Sequence, residues 1–95
     1  MPHPFRRWSE DELYIVDCET RIGILRLVAL FPSPLSLRGI AARMQKGVTT
    51  IKFHLDILEE YGYIRSVRKK NRRYIQLTKK GYNLAKKAGL ISPPK

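Results

Sequence analysis

The chain has 95 residues and a formal net charge of +11, a length that suits one compact domain. Hydrophobic residues make up 43% of it, which excludes a disordered chain, and no apolar run approaches the roughly 20 residues of a membrane span. The single cysteine, Cys18, excludes an intrachain disulfide, and we interpret it as a half-buried hydrophobic side chain. The N-terminus lacks the apolar core of a secretory signal. We therefore expect a cytoplasmic, nucleoid-associated protein without membrane contact.

The first predicted helix begins after Ser9 and ends near Val16. Ser9 and Glu12 have the spacing of a capping box, and Trp8 and Leu13 have that of a hydrophobic staple. Asp17 is a second capping candidate, so we expect a break there before the next helix. That helix is predicted to be mostly buried, and Pro32 ends it. Its apolar residues are Ile22, Leu25, Leu27, Val28, Leu30 and Phe31.

Residues 36–61 are predicted to form a helix-turn-helix. Ser36 caps a short helix that reaches position 44, and a turn over residues 45–47 leads into a longer helix that Gly62 ends. Two helices joined by a short turn with a glycine are typical of this motif. The longer helix has one buried stripe. Its members are Ile51, Leu55 and Leu58.

The hydrophobic period then changes from helical spacing to two. Residues 64–69 and 72–77 are predicted to form a β-hairpin around a Lys70-Asn71 turn. Thr78 is expected to cap a last helix, which has Tyr82, Ala85, Ala88 and Leu90 on one side. The predicted fold is mainly α with a small β-hairpin, a winged helix-turn-helix over residues 9–91. A flexible arm (residues 1–8) and a frayed C-terminus (residues 92–95) flank it.

The second helix of such a motif places its N-terminal face in the major groove of DNA. The predicted recognition residues are Val48, Thr49, Thr50, Lys52 and Phe53. The threonines can bond phosphate, base or water, Val48 can contact a thymine methyl, and Lys52 can reach guanine or phosphate. Phe53 stays open between packing on Ile57, a dimer contact and DNA. His54 is expected to be partly buried beside a hydrogen-bond partner.

The charge excess lies entirely in the last third of the chain. Residues 1–60 hold eight basic and eight acidic side chains, whereas residues 61–95 hold eleven basic and no acidic ones. Such asymmetry indicates a polyanionic partner rather than a solvated face of mixed sign. The predicted wing contacts are Arg68, Lys69, Lys70, Asn71, Arg72 and Arg73. Further candidates for the DNA backbone are Ser36, Arg38 and Lys46. The alternative is that the basic hairpin tip is a flexible, well-hydrated loop rather than a DNA contact.

Four stretches resemble winged-helix regulators. Residues 17–27 resemble the "DPTRLRILRLL" stretch of ArsR-type regulators, residues 34–41 their "PLSVSELA", and residues 50–64 their "TVSRHLKVLREAGLV". Residues 77–81 resemble the "LTEKG" of related MarR-type and PadR-type proteins. The resemblance implies a dimer on an inverted-repeat operator, with base contacts at positions 48, 49, 52 and 53 and wing contacts at 70–73.

The sequence departs from the metal-sensing members of that family. Residues 37–44 contain neither Cys nor His where those members carry paired cysteines, and Gly39 stands where many members have an acid. We expect no metal, no cofactor and no enzymatic activity, while any small-molecule effector stays open. The predicted function is a sequence-specific regulator that binds double-stranded DNA as a homodimer. Its predicted dimer contacts are Leu13, Tyr14, Val16, Tyr82, Ala85 and Leu90.

Two alternatives share this fold. One is an architectural DNA binder with little sequence preference, and the other is a winged-helix module that docks on protein or RNA. The basic wing argues against a partner that is purely protein. Comparing one operator duplex, random duplex and single-stranded RNA at fixed salt discriminates among all three.

Overall fold

The computed structural model describes residues 8–91. Residues 1–7 of the predicted arm (1–8) and the predicted frayed end (92–95) lie outside this range. Trp8, the last residue of the predicted arm, is half-buried against the core. Within it the elements are α1 (Glu10–Val16), α2 (Glu19–Leu30), β1 (Leu35–Ser36), α3 (Leu37–Met44), α4 (Val48–Glu60), β2 (Ile64–Lys69), β3 (Arg72–Leu77) and α5 (Lys79–Lys87). No helix between residues 8 and 91 is both long and apolar enough to cross a bilayer.

The start of α1 confirms the predicted capping box. Ser9 Oγ accepts from the Glu12 N–H at 3.0 Å, and Glu12 Oε1 accepts from the Ser9 N–H at 2.9 Å. The predicted break after α1 is confirmed as well, but the prediction that Asp17 caps α2 is wrong. Asp17 keeps near-helical angles (φ −77°, ψ 7°), whereas the cap position is held by half-buried Cys18 in an extended conformation (φ −130°, ψ 118°).

The helix α2 buries one face only. Ile24 and Leu25 are fully buried in the core, but Leu30 is 60% exposed, so the prediction of a mostly buried helix is wrong at its end. At 3.6 residues per turn, Leu30 lies about 140° around the helix from Leu25 and faces away from the core.

The helix-turn-helix forms where it was predicted. Ser36 Oγ accepts from the Gly39 N–H at 3.0 Å and caps α3. Gln45 takes the left-handed conformation (φ 55°) in the turn, and Gly47 is the N-cap of α4. The predicted stripe of α4 is fully buried, which fixes the opposite face of that helix toward solvent. Its members are Ile51, Leu55 and Leu58.

The hairpin is confirmed, and a third strand joins it. β2 and β3 pair antiparallel with Lys69 opposite Arg72, and Lys70 and Asn71 between them both have positive φ (49° and 65°), as a two-residue hairpin turn requires. The short β1 pairs with the other edge of β3, so the strand order is β1-β3-β2. Two residues carry no alternation signal, which is why the sequence did not predict β1. The fold is a winged helix-turn-helix, mainly α.

Candidate nucleic-acid interface

The N-terminal half of α4 presents its predicted recognition residues to solvent. All five are exposed, while Ile51 among them is fully buried and holds the helix on the core. Gly47 caps α4 without a side-chain hydrogen bond, so the positive helix terminus is open to an anion. The exposed set comprises Val48, Thr49, Thr50, Lys52 and Phe53.

Phe53 and His54 lie at the border between this exposed face and the core. The Phe53 ring is 61% exposed and meets the His54 ring edge-on at 5.2 Å. His54 is half-buried, as predicted, with Nδ1 3.3 Å from an Arg21 guanidinium nitrogen. Since arginine only donates, Nδ1 accepts and the ring is neutral. Burial, with smaller contributions from the positive charges of Arg21 and Lys46, lowers the pKa of His54 below its ordinary value.

Arg21 was not predicted to be functional, yet it braces the recognition helix. Its side chain is buried, donates to the carbonyls of Tyr14 (2.9 Å) and Ile15 (3.4 Å), and lies 4.5 Å from the centre of the Tyr14 ring. It thereby connects the last turn of α1 to His54 on α4. The sequence did not indicate that Arg21 is buried, because its partners are two backbone carbonyls and a histidine 33 residues away.

An open groove of about 610 Å³ separates the helix-turn-helix from the wing. Its lining comes from three places: Ser36 and Arg38 at the start of α3, Lys52 of α4, and the wing. The structure thus places predicted residues from three elements around one basic groove. Lys46 is exposed in the turn before α4 and is not among the lining residues.

Five of the six predicted wing residues are exposed, whereas Arg73, predicted with them as a DNA contact, is buried and paired with acidic side chains. Arg73 is only 9% exposed and forms ion pairs with Asp56 (3.0 Å) and Glu59 (2.9 Å) of α4. Successive residues of a strand face opposite sides, so Arg72 faces away while Arg73 faces α4. The exposed residues are Arg68, Lys69, Lys70, Asn71 and Arg72.

Lys52 forms an ion pair with Asp56 that does not hold its side chain in one conformation. Its Nζ lies 3.0 Å from Asp56 Oδ2 one helical turn away, and both side chains are at least half exposed. A solvent-exposed pair of this kind contributes little free energy, so Lys52 can turn to a phosphate at small cost. The pKa of the Asp56 carboxyl is lowered by the hydrogen bond from Lys52 first and by Arg73 second.

The predicted dimer residues divide into three groups by exposure. Leu13, Tyr14 and Tyr82 are exposed, and Val16 and Leu90 are half-buried. Ala85 is fully buried in its own core, so its assignment to an interface is wrong. The core-facing side of α5 carries Gly81, Leu84 and Ala85. Tyr82 lies outside that face and is exposed, so it stays available for a dimer contact whereas Ala85 does not.

Three comparisons place this architecture among known proteins. A family model described as "Bacterial regulatory protein, arsR family" matches residues 18–66. The fold is similar to that of HlyU from Vibrio cholerae, with 19% identity and a TM-score of 0.70 over 84% of this chain and 80% of that one. An ArsR family transcriptional regulator gives 17% identity and a TM-score of 0.66 over 80% of this chain and 76% of that one.

Human N-acetylserotonin methyltransferase also contains a similar fold, at 17% identity and a TM-score of 0.62. The match covers 75% of this chain but only 20% of the methyltransferase. At such identities the likeness concerns the fold alone. No curated protein sequence gives a significant match.

Proposed function

The chain belongs to the ArsR family of bacterial regulatory proteins, which are DNA-binding transcriptional regulators, and on this premise we propose that it is a homodimer that recognises a specific double-stranded DNA sequence. The observation that carries the proposal is the basic groove between α3, α4 and the wing. Within residues 8–91, none of its exposed arginines, nor Lys70, lies within ion-pair distance of a carboxylate. These cations are Arg38, Arg68, Lys70 and Arg72.

In the proposed complex, α4 and the wing contact different parts of the DNA. The exposed N-terminal half of α4 fits the major groove, where Thr49 and Lys52 reach base edges. Arg72, with the cations at the hairpin tip, follows the adjacent phosphates or a narrow minor groove, which attracts arginine. Ser36 and Arg38 hold a phosphate on the other side. Lys46, exposed in the turn before α4, stays a backbone candidate outside the groove.

The homodimer is supported by exposed apolar residues on neighbouring helices. Lys87 of α5 pairs with Glu12 of α1 at 2.9 Å, so the start of α1 lies near the end of α5. Leu13 and Tyr14 on α1 and Tyr82 on α5 are exposed large hydrophobic side chains. A two-fold axis through them would bury this surface and set two recognition helices about one DNA turn apart.

Selection of bound duplexes from a random-sequence library tests the proposal. We expect a recovered palindrome whose half-sites are about one helical turn apart, which reports both specificity and two-fold symmetry. Binding without enrichment of any sequence would support the architectural alternative. Preference for single-stranded RNA over every duplex would support the RNA-binding alternative.

A further inference from the structure

Arg73 connects the wing to the recognition helix through a set of hydrogen bonds. Its guanidinium reaches Asp56 Oδ1 (3.0 Å), Glu59 Oε1 (2.9 Å) and Ser66 Oγ (2.7 Å). Ser66 donates in turn to the same Glu59 oxygen at 2.5 Å. A planar guanidinium with fixed donor directions suits this three-way arrangement, which an ammonium group cannot reproduce.

The position of Arg73 along the hairpin gives these bonds a mechanical consequence. The base of the hairpin is held by Ile64 and Ile75, which are buried in the core. Arg73 is the second residue of β3 and lies close to the Lys70-Asn71 tip. β1 pairs with the middle of β3, at Ile75 and Tyr74, so neither this pairing nor the core contacts hold the strands beyond position 74 toward the tip. Arg73 ties the distal half of the hairpin to the exposed side of α4.

The same contacts neutralise acidic groups beside the expected phosphates. Asp56 and Glu59 carry two negative charges on the face of α4 next to the wing, and Arg73 together with Lys52 supplies two positive ones. The patch between helix and wing is therefore neutral, and the exposed cations around it determine how phosphate is attracted. Hydrogen bonds from Ser66 first and from Arg73 next lower the pKa of Glu59, so this carboxyl stays charged at neutral pH.

We propose that Arg73 is a positioning residue that fixes the wing relative to the recognition helix, so that both reach the same DNA duplex at once. The proposal rests on the DNA-binding function above and deepens it. It differs from a direct role in one decisive respect. A direct phosphate contact needs only a positive charge at position 73, whereas positioning needs the forked bonds to Asp56, Glu59 and Ser66.

Two matched pairs of variants separate these roles. Arg73→Lys and Arg65→Lys both keep the charge of a hairpin arginine, but Arg65 of β2 lies outside the groove and bonds Gln76 at 2.9 Å. Each variant is titrated against a selected duplex of about 30 base pairs, which spans two half-sites. Positioning predicts that Arg73→Lys lowers affinity about tenfold, while Arg65→Lys stays within about twofold because its hydrogen bond to Gln76 is confined to the hairpin. Equal, small effects of the two substitutions would overturn the positioning role.

Glu59→Gln and Glu60→Gln form the second pair. Both remove one negative charge from the end of α4, but of these two glutamates only Glu59 contacts Arg73. Positioning predicts weaker operator binding for Glu59→Gln than for Glu60→Gln. A direct phosphate contact predicts the reverse order, because losing Glu59 frees Arg73 for DNA. Thermal melting of each variant confirms that it is folded, and this exposed pair keeps the test valid if Arg73→Lys unfolds.

The failure of this proposal can be told apart from the failure of the proposed function. If the unmodified protein binds neither the selected duplex nor a random one, the DNA-binding function fails and the role of Arg73 with it. If it binds and the two pairs of variants show no difference, only the positioning role fails. Hydrogen exchange of the hairpin amides gives an independent readout, since Arg73→Lys is expected to speed it while α2 stays protected.

Discussion

The guanidinium of Arg21 lies 3.3 Å from Nδ1 of His54, which joins α2 to the recognition helix through a buried positive charge and a neutral imidazole. Protonating His54 would place a second positive charge against Arg21 in a half-buried site. The recognition helix is therefore held by a contact that depends on pH.

Acidification is expected to weaken the fold through His54. Its pKa in the folded protein is lowered, by burial first and by Arg21 second, while the unfolded value is about 6.5. The contribution of the neutral ring is thus complete above about pH 6.5 and is lost as pH falls below it, by up to about 1.4 kcal/mol per pH unit. Urea unfolding at pH 7.5 and 5.5 measures the loss.

His54→Gln provides the control for that titration, because its amide oxygen can accept from Arg21 without titrating. The variant is expected to lose less stability than the unmodified protein over the same pH interval. An identical loss in both proteins would assign the pH dependence to other groups.

Gly81 allows α5 to pack closely against the chain after α4. A Cβ at this position would lie 1.9 Å from the carbonyl oxygen of Tyr63, which is backbone and cannot turn aside. Gly81→Ala is expected to cost about 2 kcal/mol or more in the free energy of unfolding. Gly23→Ala is the matched control, since its Cβ would meet the mobile end of Met44 at 2.8 Å. Equal effects of the two substitutions in denaturant unfolding would contradict this interpretation.

The dimer contact is tested with a charged residue on the exposed surface of α1. Leu13→Arg places a charge at the predicted two-fold interface and is expected to give a monomer in sedimentation, whereas the unmodified protein sediments at twice 11.1 kDa. Leu30→Arg changes another exposed leucine, on α2 and outside the predicted interface, and is expected to leave the dimer intact. Dissociation by both variants, or by neither, would count against an interface at Leu13.

Recognition and positioning on DNA are separated by Thr49 and Arg72. Thr49→Ala is expected to weaken the selected duplex by about 1–3 kcal/mol and random duplex much less, because a base contact discriminates between sequences. Arg72→Ala is expected to weaken both duplexes alike and to reduce the log–log salt slope by about one. Equal losses on both duplexes for Thr49→Ala would mean that α4 positions the protein without recognising sequence.

Local signals predicted most of this architecture from the sequence. Ser9, Ser36 and Thr78 each cap the helix expected of them, because each side chain accepts from a backbone N–H three residues on. The hairpin strands were predicted with the bounds observed, since alternation and the Lys70-Asn71 turn are both local.

The errors concern side chains whose surroundings are set by the fold. The charge density of a hairpin tip does not distinguish Arg73 from Arg72, because it says nothing about which face of the strand each residue occupies. Arg73 lies two residues before the apolar Ile75, so the two side chains share one face of the strand, and this spacing was the available signal for its burial. Arg21 gave no such signal, since one of its partners, His54, lies 33 residues away in the chain. Leu84 and Ala85 are both buried and share the core face of α5. The predicted apolar side of this helix did not include Leu84, so the burial of Ala85 was missed.

The most direct test of the central claim is a competition titration at one fixed salt concentration, in which the selected duplex, a shuffled duplex of the same composition and single-stranded RNA compete for the protein. We expect the selected duplex to bind about a thousandfold or more tightly than the shuffled one, as specific protein–DNA complexes do, with two protein chains per duplex. Equal affinity for the selected and shuffled duplexes, or tighter binding to the RNA, would contradict a sequence-specific double-stranded DNA regulator.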